Sequence, residues 1–411
     1  MRNRRRLLLL TLVLVVLAVV GVVYATRGTR RIDDTPVRIS VSDVAQFSIP
    51  TDIKLDLVEA PLTDEKPNPD HRCSISVSND GAVVVSAHTG SSRRIKVWDA
   101  TSGRVVRQSS DPTSGGDAAL TRDGRTLYAG FQNVRDGGLP LGSTLRIWDT
   151  KTGKLLRQRN TNCWALSADS KTLATLDVHV DIDPMYYGRP HADPPRSILA
   201  VWDVATWKVR RAFVFGLSDP NAIALSPDGS TVALDIGGKI QVIDADTGSV
   251  LWRANSQTSS LTFSQDGKTL ASAQIHPGAV PRRVDVSLWD VSTGVSRRLC
   301  SYNDNTRNWF DPVFTGMGFT SDGQTLLFGT RSLVVPVSVA DKLPEVGLAI
   351  DEQNADFARR GLQPGDTKEI TAFGLSGDGK TAVISGHFGD EWGIRVIDVA
   401  TREVRFPPKK P

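Results

Sequence analysis

Apolar and polar residues alternate along most of this 411-residue chain, in short runs separated by turn-forming residues. The run from Leu225 to Gly248, LSPDGSTVALDIGGKIQVIDADTG, shows the unit. Alternation of period two over a few residues, rich in β-branched side chains, predicts strands with one face turned inward. Pro227-Asp228-Gly229 and Asp246-Thr247-Gly248 predict the hairpin turns between them. The unit resolves as strand a (IALS), a turn, strand b (TVALDI), a connection, strand c (IQVID), a turn and strand d (SVLWRA).

The unit recurs. Its first turn returns as VSNDGAV, LTRDGRT, LSADSKT, FSQDGKT, FTSDGQT and LSGDGKT, around Asp80, Asp123, Asp169, Asp266, Asp322 and Asp378. Its second turn returns as IKVWDATSG, LRIWDTKTG, LAVWDVATW, VSLWDVSTG and IRVIDVATR, with a degraded sixth copy, VVPVSVADK, near Ser338. Residues 72–406 divide into seven units of about 48 residues. One such sheet cannot bury both faces, whereas seven arranged radially bury each face against a neighbour. The expected fold is all-β: a seven-bladed β-propeller of four-stranded antiparallel blades over residues 71–411, preceded by one N-terminal transmembrane helix.

Strand c ends in Trp-Asp four times, at Trp98-Asp99, Trp148-Asp149, Trp202-Asp203 and Trp289-Asp290, and in Ile-Asp in units four and seven. In this the chain resembles the WD40-repeat proteins over nearly everything after residue 70. The resemblance implies a propeller that serves as a binding scaffold. The Gly-His pair that precedes strand a in that family is missing, which leaves the family's buried His–Ser–Asp–Trp network open. Residues 32–70 read as a linker with a possible closing strand. Either Ile53, Leu55 and Leu57 join the last blade, or Arg402–Phe406 completes that blade alone.

Residues 1–31 form the expected anchor with its basic flanks. Leu7 to Ala25 carries no charge, and as a helix its 19 residues span about 28 Å, close to a bilayer core. Small residues at Val23 and Ala25 keep a cleaved secretory signal open. The expectation is a single-pass cell-membrane protein with its propeller on the extracytoplasmic side, or a secreted one if the segment is cleaved. The seven arginines of residues 1–31 account for more than the whole net charge of +4. What remains has 42 basic and 45 acidic residues, a net of −3, so the propeller is not a basic nucleic-acid binder. Three widely spaced cysteines, Cys73, Cys163 and Cys300, make no disulfide framework.

Chemistry is sparse. Gly374 to Thr381, GLSGDGKT, matches a phosphate-loop pattern, but a strand rather than a helix follows it, and it is also the seventh copy of the hairpin turn. No nucleotide and no cofactor is implied. The a–b and c–d turns, on one end of the propeller, are short and uniform. The b–c and d–a connections, on the other end, are long in blades two, three and five and in the links around blade six. Long loops on a rigid scaffold are common binding sites. His88, His179, His191, His276 and His387 all fall in this set.

Within that set Asp177, His179, Asp181 and Asp183 alternate, so an extended strand would present them on one face, either as weak candidates for a divalent metal or as a solvated polar face. The candidate partner-binding residues are Tyr186, Tyr187, Arg189, His191, His276, Arg282, Trp309, His387 and Trp392, aromatic and basic types favoured at binding hot spots. The expected function is a non-enzymatic, membrane-anchored platform for a protein or peptide partner, bound through the long-loop end. The alternative is a hydrolase or oxidoreductase with a His/Asp site at the channel mouth of that end.

Overall fold

A computed structural model of the chain describes residues 36–49, 56–59, 73–88, 94–109, 115–134, 140–179, 196–215, 220–276, 282–304, 315–330, 334–340, 349–350, 367–389 and 391–406. The expected transmembrane segment lies outside these. Among the described residues no helix is long and apolar enough to cross a membrane.

Seven sheets follow one another along the chain, each with its blade strands antiparallel in the order a, b, c, d, and only Ala349–Ile350 among the described strands runs parallel, beside Ser301 and Tyr302 at the edge of blade five. In blade four these strands are Pro220–Leu225, Thr231–Ile236, Lys239–Asp244 and Val250–Ala254. Strand a of each blade is the innermost, at the opposite edge of the sheet from strand d. Blade six departs from the pattern. Its described strands are Gly316–Phe319, Thr325–Gly329 and Val334–Ser338, with no fourth. There the Trp-Asp position is Val337-Ser338, so no carboxylate closes the second turn. The Ser338 hydroxyl accepts from Ala340 N–H at 3.3 Å instead.

Seven buried apolar clusters hold the ring, one at each junction between neighbouring blades. The alternation in each strand feeds one set of side chains to each neighbouring blade, which is why both faces of a blade are apolar. Among the described residues the ring closes by packing between blades one and seven. Ile75, Val77 and Val84 of blade one meet Ala372, Val383 and Val396 of blade seven. The outer strand of the last blade is its own, Val404–Phe406, paired with Val396 and Ile397. Leu57 does not join it.

The segment before blade one instead runs backwards around the outside. Val37–Arg38 adds a fifth strand to blade three, beside Val214 and Phe213. Ser48 then bridges Gln158 on blade two. Leu57–Glu59 adds a fifth strand to blade one, beside Ser109, Gln108 and Arg107. This strap is seated by packing as well as by pairing. Val44 is buried, and Phe47 sits edge-on to Trp202 and Trp207 with ring centroids 4.9 and 5.2 Å away. Asp56 accepts from Leu155 N–H at 2.7 Å, and Leu57 N–H donates to the Gly153 carbonyl at 2.7 Å.

Candidate interaction surface

The two ends of the propeller are built from different materials. At the turn end, one hydrogen-bond pattern repeats in all seven a–b turns. In blade four the Ser226 hydroxyl donates to Asp228 Oδ1 at 2.7 Å, Ser230 N–H donates to the same oxygen at 3.0 Å, and Thr231 N–H donates back to Ser226 Oγ at 2.9 Å. The same three bonds join Ser78, Asp80 and Val83 in blade one, and Ser376, Asp378 and Thr381 in blade seven. Blades two, three, five and six keep them around Asp123, Asp169, Asp266 and Asp322. The segment 374–381 is therefore a hairpin turn leading into strand Thr381–Phe388, without the helix N-terminus a phosphate loop uses.

The second turn is equally local. Asp244 Oδ1 accepts from Asp246 N–H, Thr247 N–H and the Thr247 hydroxyl at 3.1, 2.7 and 2.8 Å. Asp99, Asp149, Asp203, Asp290 and Asp398 take backbone N–H bonds at the same place. These aspartates hold turns. Their Trp neighbours supply the other half of the motif. Trp98, Trp202 and Trp289 donate from Nε1 to Ser86 Oγ, Thr175 Oγ1 and Ser272 Oγ at 2.9, 3.0 and 2.8 Å. The hydroxyl–indole bond thus persists in three blades without a Gly-His pair. In blade two the matching position is Ala129, and Trp148 packs edge-on to Phe131 at 5.7 Å.

A cavity of about 410 Å³ opens where the turn end meets the central channel, lined by Asn79, Arg122, Asp169, Asp228, Gln265 and Gly377. None of the candidate residues named from the sequence lines it.

At the loop end the polar groups differ from blade to blade. In blade five the nearly buried Asp285 gathers four partners. His276 Nε2 lies 3.1 Å from Oδ2, Arg283 Nε donates to Oδ1 at 2.7 Å, the Ser301 hydroxyl donates to Oδ1 at 2.6 Å, and an Arg298 nitrogen lies 3.4 Å from Oδ2. Burial by itself would raise this carboxyl. The bonds from Arg283 and Ser301, with the charges of Arg298 and Arg283, hold it below the usual carboxylate range. In blade four the fully buried Asp235 meets only dipoles, accepting from Thr258 N–H and from Gly238 N–H at 3.2 Å. There burial wins and pushes the carboxyl up.

In blade three Asp177 is buried and paired with Arg159 of blade two, whose guanidinium lies 4.9 Å from the Trp202 ring. At Asp177 the solvated reading does not hold, while the His179 side chain, Asp181 and Asp183 lie outside the described residues. Asp177 faces Arg159 of the preceding blade rather than solvent. Among the described residues no group of three or more His, Cys, Asp or Glu side chains is placed to hold a metal ion.

Of the candidate partner-binding residues, Tyr186, Tyr187, Arg189, His191 and Trp309 lie outside the described residues, as do Asp181 and Asp183. The others fall into two groups. His276 is half-buried and pairs across the strands with Arg283, next to Arg282, which opens strand Arg282–Asp290. His387 is half-buried in blade seven and pairs across its hairpin with Trp392. His179 ends strand Thr172–His179, opposite Arg196. Arg283, Asp285 and Arg298 were not singled out from sequence. The VPRRVD segment held the signal in its paired arginines, but Arg298 reaches the site from the adjacent strand d, Ser296–Asp304.

No family model matches the chain, and no curated protein matches it. Solved structures do. Hydrazine synthase of Kuenenia stuttgartiensis superposes with a TM-score of 0.55 at 18% identity, over 83% of this chain and 99% of that one. The Cps50 (Swd1) β-propeller domain of Myceliophteria thermophila gives 0.52 at 14%, over 82% and 99%. A chain of the mitotic checkpoint complex gives 0.50 at 14%, over 86% and 95%. Identities this low establish the fold alone. This is a seven-bladed β-propeller. The expectation of a non-enzymatic protein does not stand. One of these structures is an enzyme, so possession of this fold does not separate catalysts from scaffolds, and that part of the sequence reading is withdrawn.

Proposed function

We propose that the protein is a membrane-anchored WD40-like propeller that binds a protein or peptide partner through its long-loop end. One observation carries the reading. Polar groups at the turn end are committed seven times over to their own backbone, whereas those at the loop end form a different constellation in each of blades three, four and five. A surface that varies on an invariant frame suits recognition of one partner. One of the similar structures is a chain of a protein assembly, the mitotic checkpoint complex. In blade five the half-exposed His276, Arg283 and Arg298 offer hydrogen-bond donors to such a partner. Residues 7–25 hold the chain in the cell membrane with the propeller on the extracytoplasmic side.

The test is recovery of partners from detergent-solubilised membranes. Tyr186→Ala with Tyr187→Ala, and separately His276→Ala with Arg283→Ala, should lose the partner while thermal stability is kept. Unchanged recovery from both would sink the proposal. A reporter fused after Pro411 that is active only in the cytoplasm would overturn the topology.

A further inference from the structure

Exposed large apolar side chains are clustered rather than scattered. Six of the eight among the described residues are Val37, Val41, Ile49, Val58, Val106 and Leu156. All six belong to the strap or to the outer strands it covers, Arg104–Ser109 of blade one and Leu155–Asn160 of blade two. Ile49 is 71% exposed and Val37 63%, so these are not half-buried rim packing. Charge gathers at the same place. The outer strands of blades one to three, the third being Lys208–Phe215, hold seven basic residues and no acidic one. Some are engaged, as Arg159 is with Asp177 and Arg210 with Asp246. Arg38, Arg104, Lys151, Lys154 and Lys208 are exposed. This basic rim sits on a body whose net charge beyond residue 31 is −3.

The chain length links the rim to a membrane. Eleven residue steps separate Ala25, the end of the apolar run, from Pro36, where the strap begins, a reach of at most about 40 Å. We propose that the rim of blades one to three rests against anionic lipid headgroups. Its apolar side chains enter the interfacial zone, and its lysines and arginines face the phosphates. The inference rests on residues 7–25 being a membrane anchor. The propeller then stands edge-on, with its long-loop end facing along the membrane rather than away from it.

The experiment uses the full chain in nanodiscs containing about one third phosphatidylglycerol in phosphatidylcholine, with a photoreactive benzoylphenylalanine replacing either Leu156 or Val295, the latter on blade five. Crosslinking to lipid should be about fivefold or more greater from position 156. It should fall to the level of position 295 when Arg104→Glu and Lys154→Glu are added. Equal crosslinking from the two positions, in protein that resists alkaline carbonate extraction, would overturn the rim contact and leave the anchor standing. Release of the protein by carbonate would overturn the anchor, and the rim contact with it.

Discussion

At the turn end of the propeller, seven aspartates are held by the same three hydrogen bonds. At the loop end, three blades place a buried carboxylate and each meets it differently. Asp285 has arginines, a histidine and a serine, Asp235 has backbone dipoles, and Asp177 has an arginine from the preceding blade. The turn end is stabilised locally, within six residues, so one solution serves in every blade. At the loop end a carboxylate must be satisfied by whatever its own strands and neighbouring blade supply. Repetition therefore marks turns that stabilise themselves, and divergence marks polar groups that answer to one blade's own neighbours.

That contrast can be broken most directly at the turn glycines. Gly229 has φ +71°, and a Cβ there would sit 2.5 Å from Thr172 Cβ of the neighbouring blade. Gly229→Ala should cost about 3 kcal/mol, combining the left-handed backbone with the clash. Gly323 has φ +68° with nothing within 4 Å of an added Cβ, so Gly323→Ala should cost only about 1 kcal/mol. Equal denaturation midpoints for the two would show that contact between turns adds nothing. Next in size is Phe47→Ala, expected to cost about 2 kcal/mol because the ring is half-buried against two tryptophans. A loss below a few tenths, by the same denaturation, would mean that the strap is decoration.

Acid should separate the ends in a smaller way. Hydrogen bonds from Ser78 and Ala82 N–H hold Asp80 below the ordinary value of 3.8. At Asp228, burial is outweighed by bonds from Ser226 and Ser230. A depressed folded pKa contributes stability that is complete above the unfolded value and disappears as pH falls through the folded one. Melting temperature should therefore be insensitive to these turns above about pH 5 and drop below about pH 4. Asp228→Ala should shallow that drop and cost about 1 kcal/mol at neutral pH. The smallest expected effect on stability is at the loop end. His276→Ala, half-exposed, should change it by less than about 0.5 kcal/mol, while partner recovery falls.

Much of the propeller was legible because its instructions are local. The Asp-Gly turn, the Asp-Thr-Gly turn and the alternation between them each act within a few residues, and seven copies make the radial packing unavoidable. The free thiols also agree with the spacing of the cysteines. Cys163 is half-buried and Cys300 buried, and burial, with nearby carboxylates, pushes them up to about 11 and about 12. Exceptions were visible but not interpretable. Trp207, with φ +57°, stands where four other second turns have glycine and blade seven has Arg402. Its reason is Phe47, some 160 residues earlier, whose ring it receives along with the Arg157 guanidinium.

The strap itself escaped the sequence reading. A possible strand through Leu57 was legible but its partner was not: Leu57–Glu59 pairs with blade one, and Val37–Arg38 pairs with residues as much as 177 positions away. The same holds for Asp177, whose spacing with His179 suggested one polar face until an arginine of the neighbouring blade filled it.

What the chain's own order of residues determined was the blade, the number of blades and which end carries uniform turns, because each depends on contacts between near neighbours in sequence. How the ring closes, where the N-terminal segment lies and which charges face one another were decided only in three dimensions. Those contacts join residues from different blades, and no periodicity along a single strand encodes its neighbour's side chains.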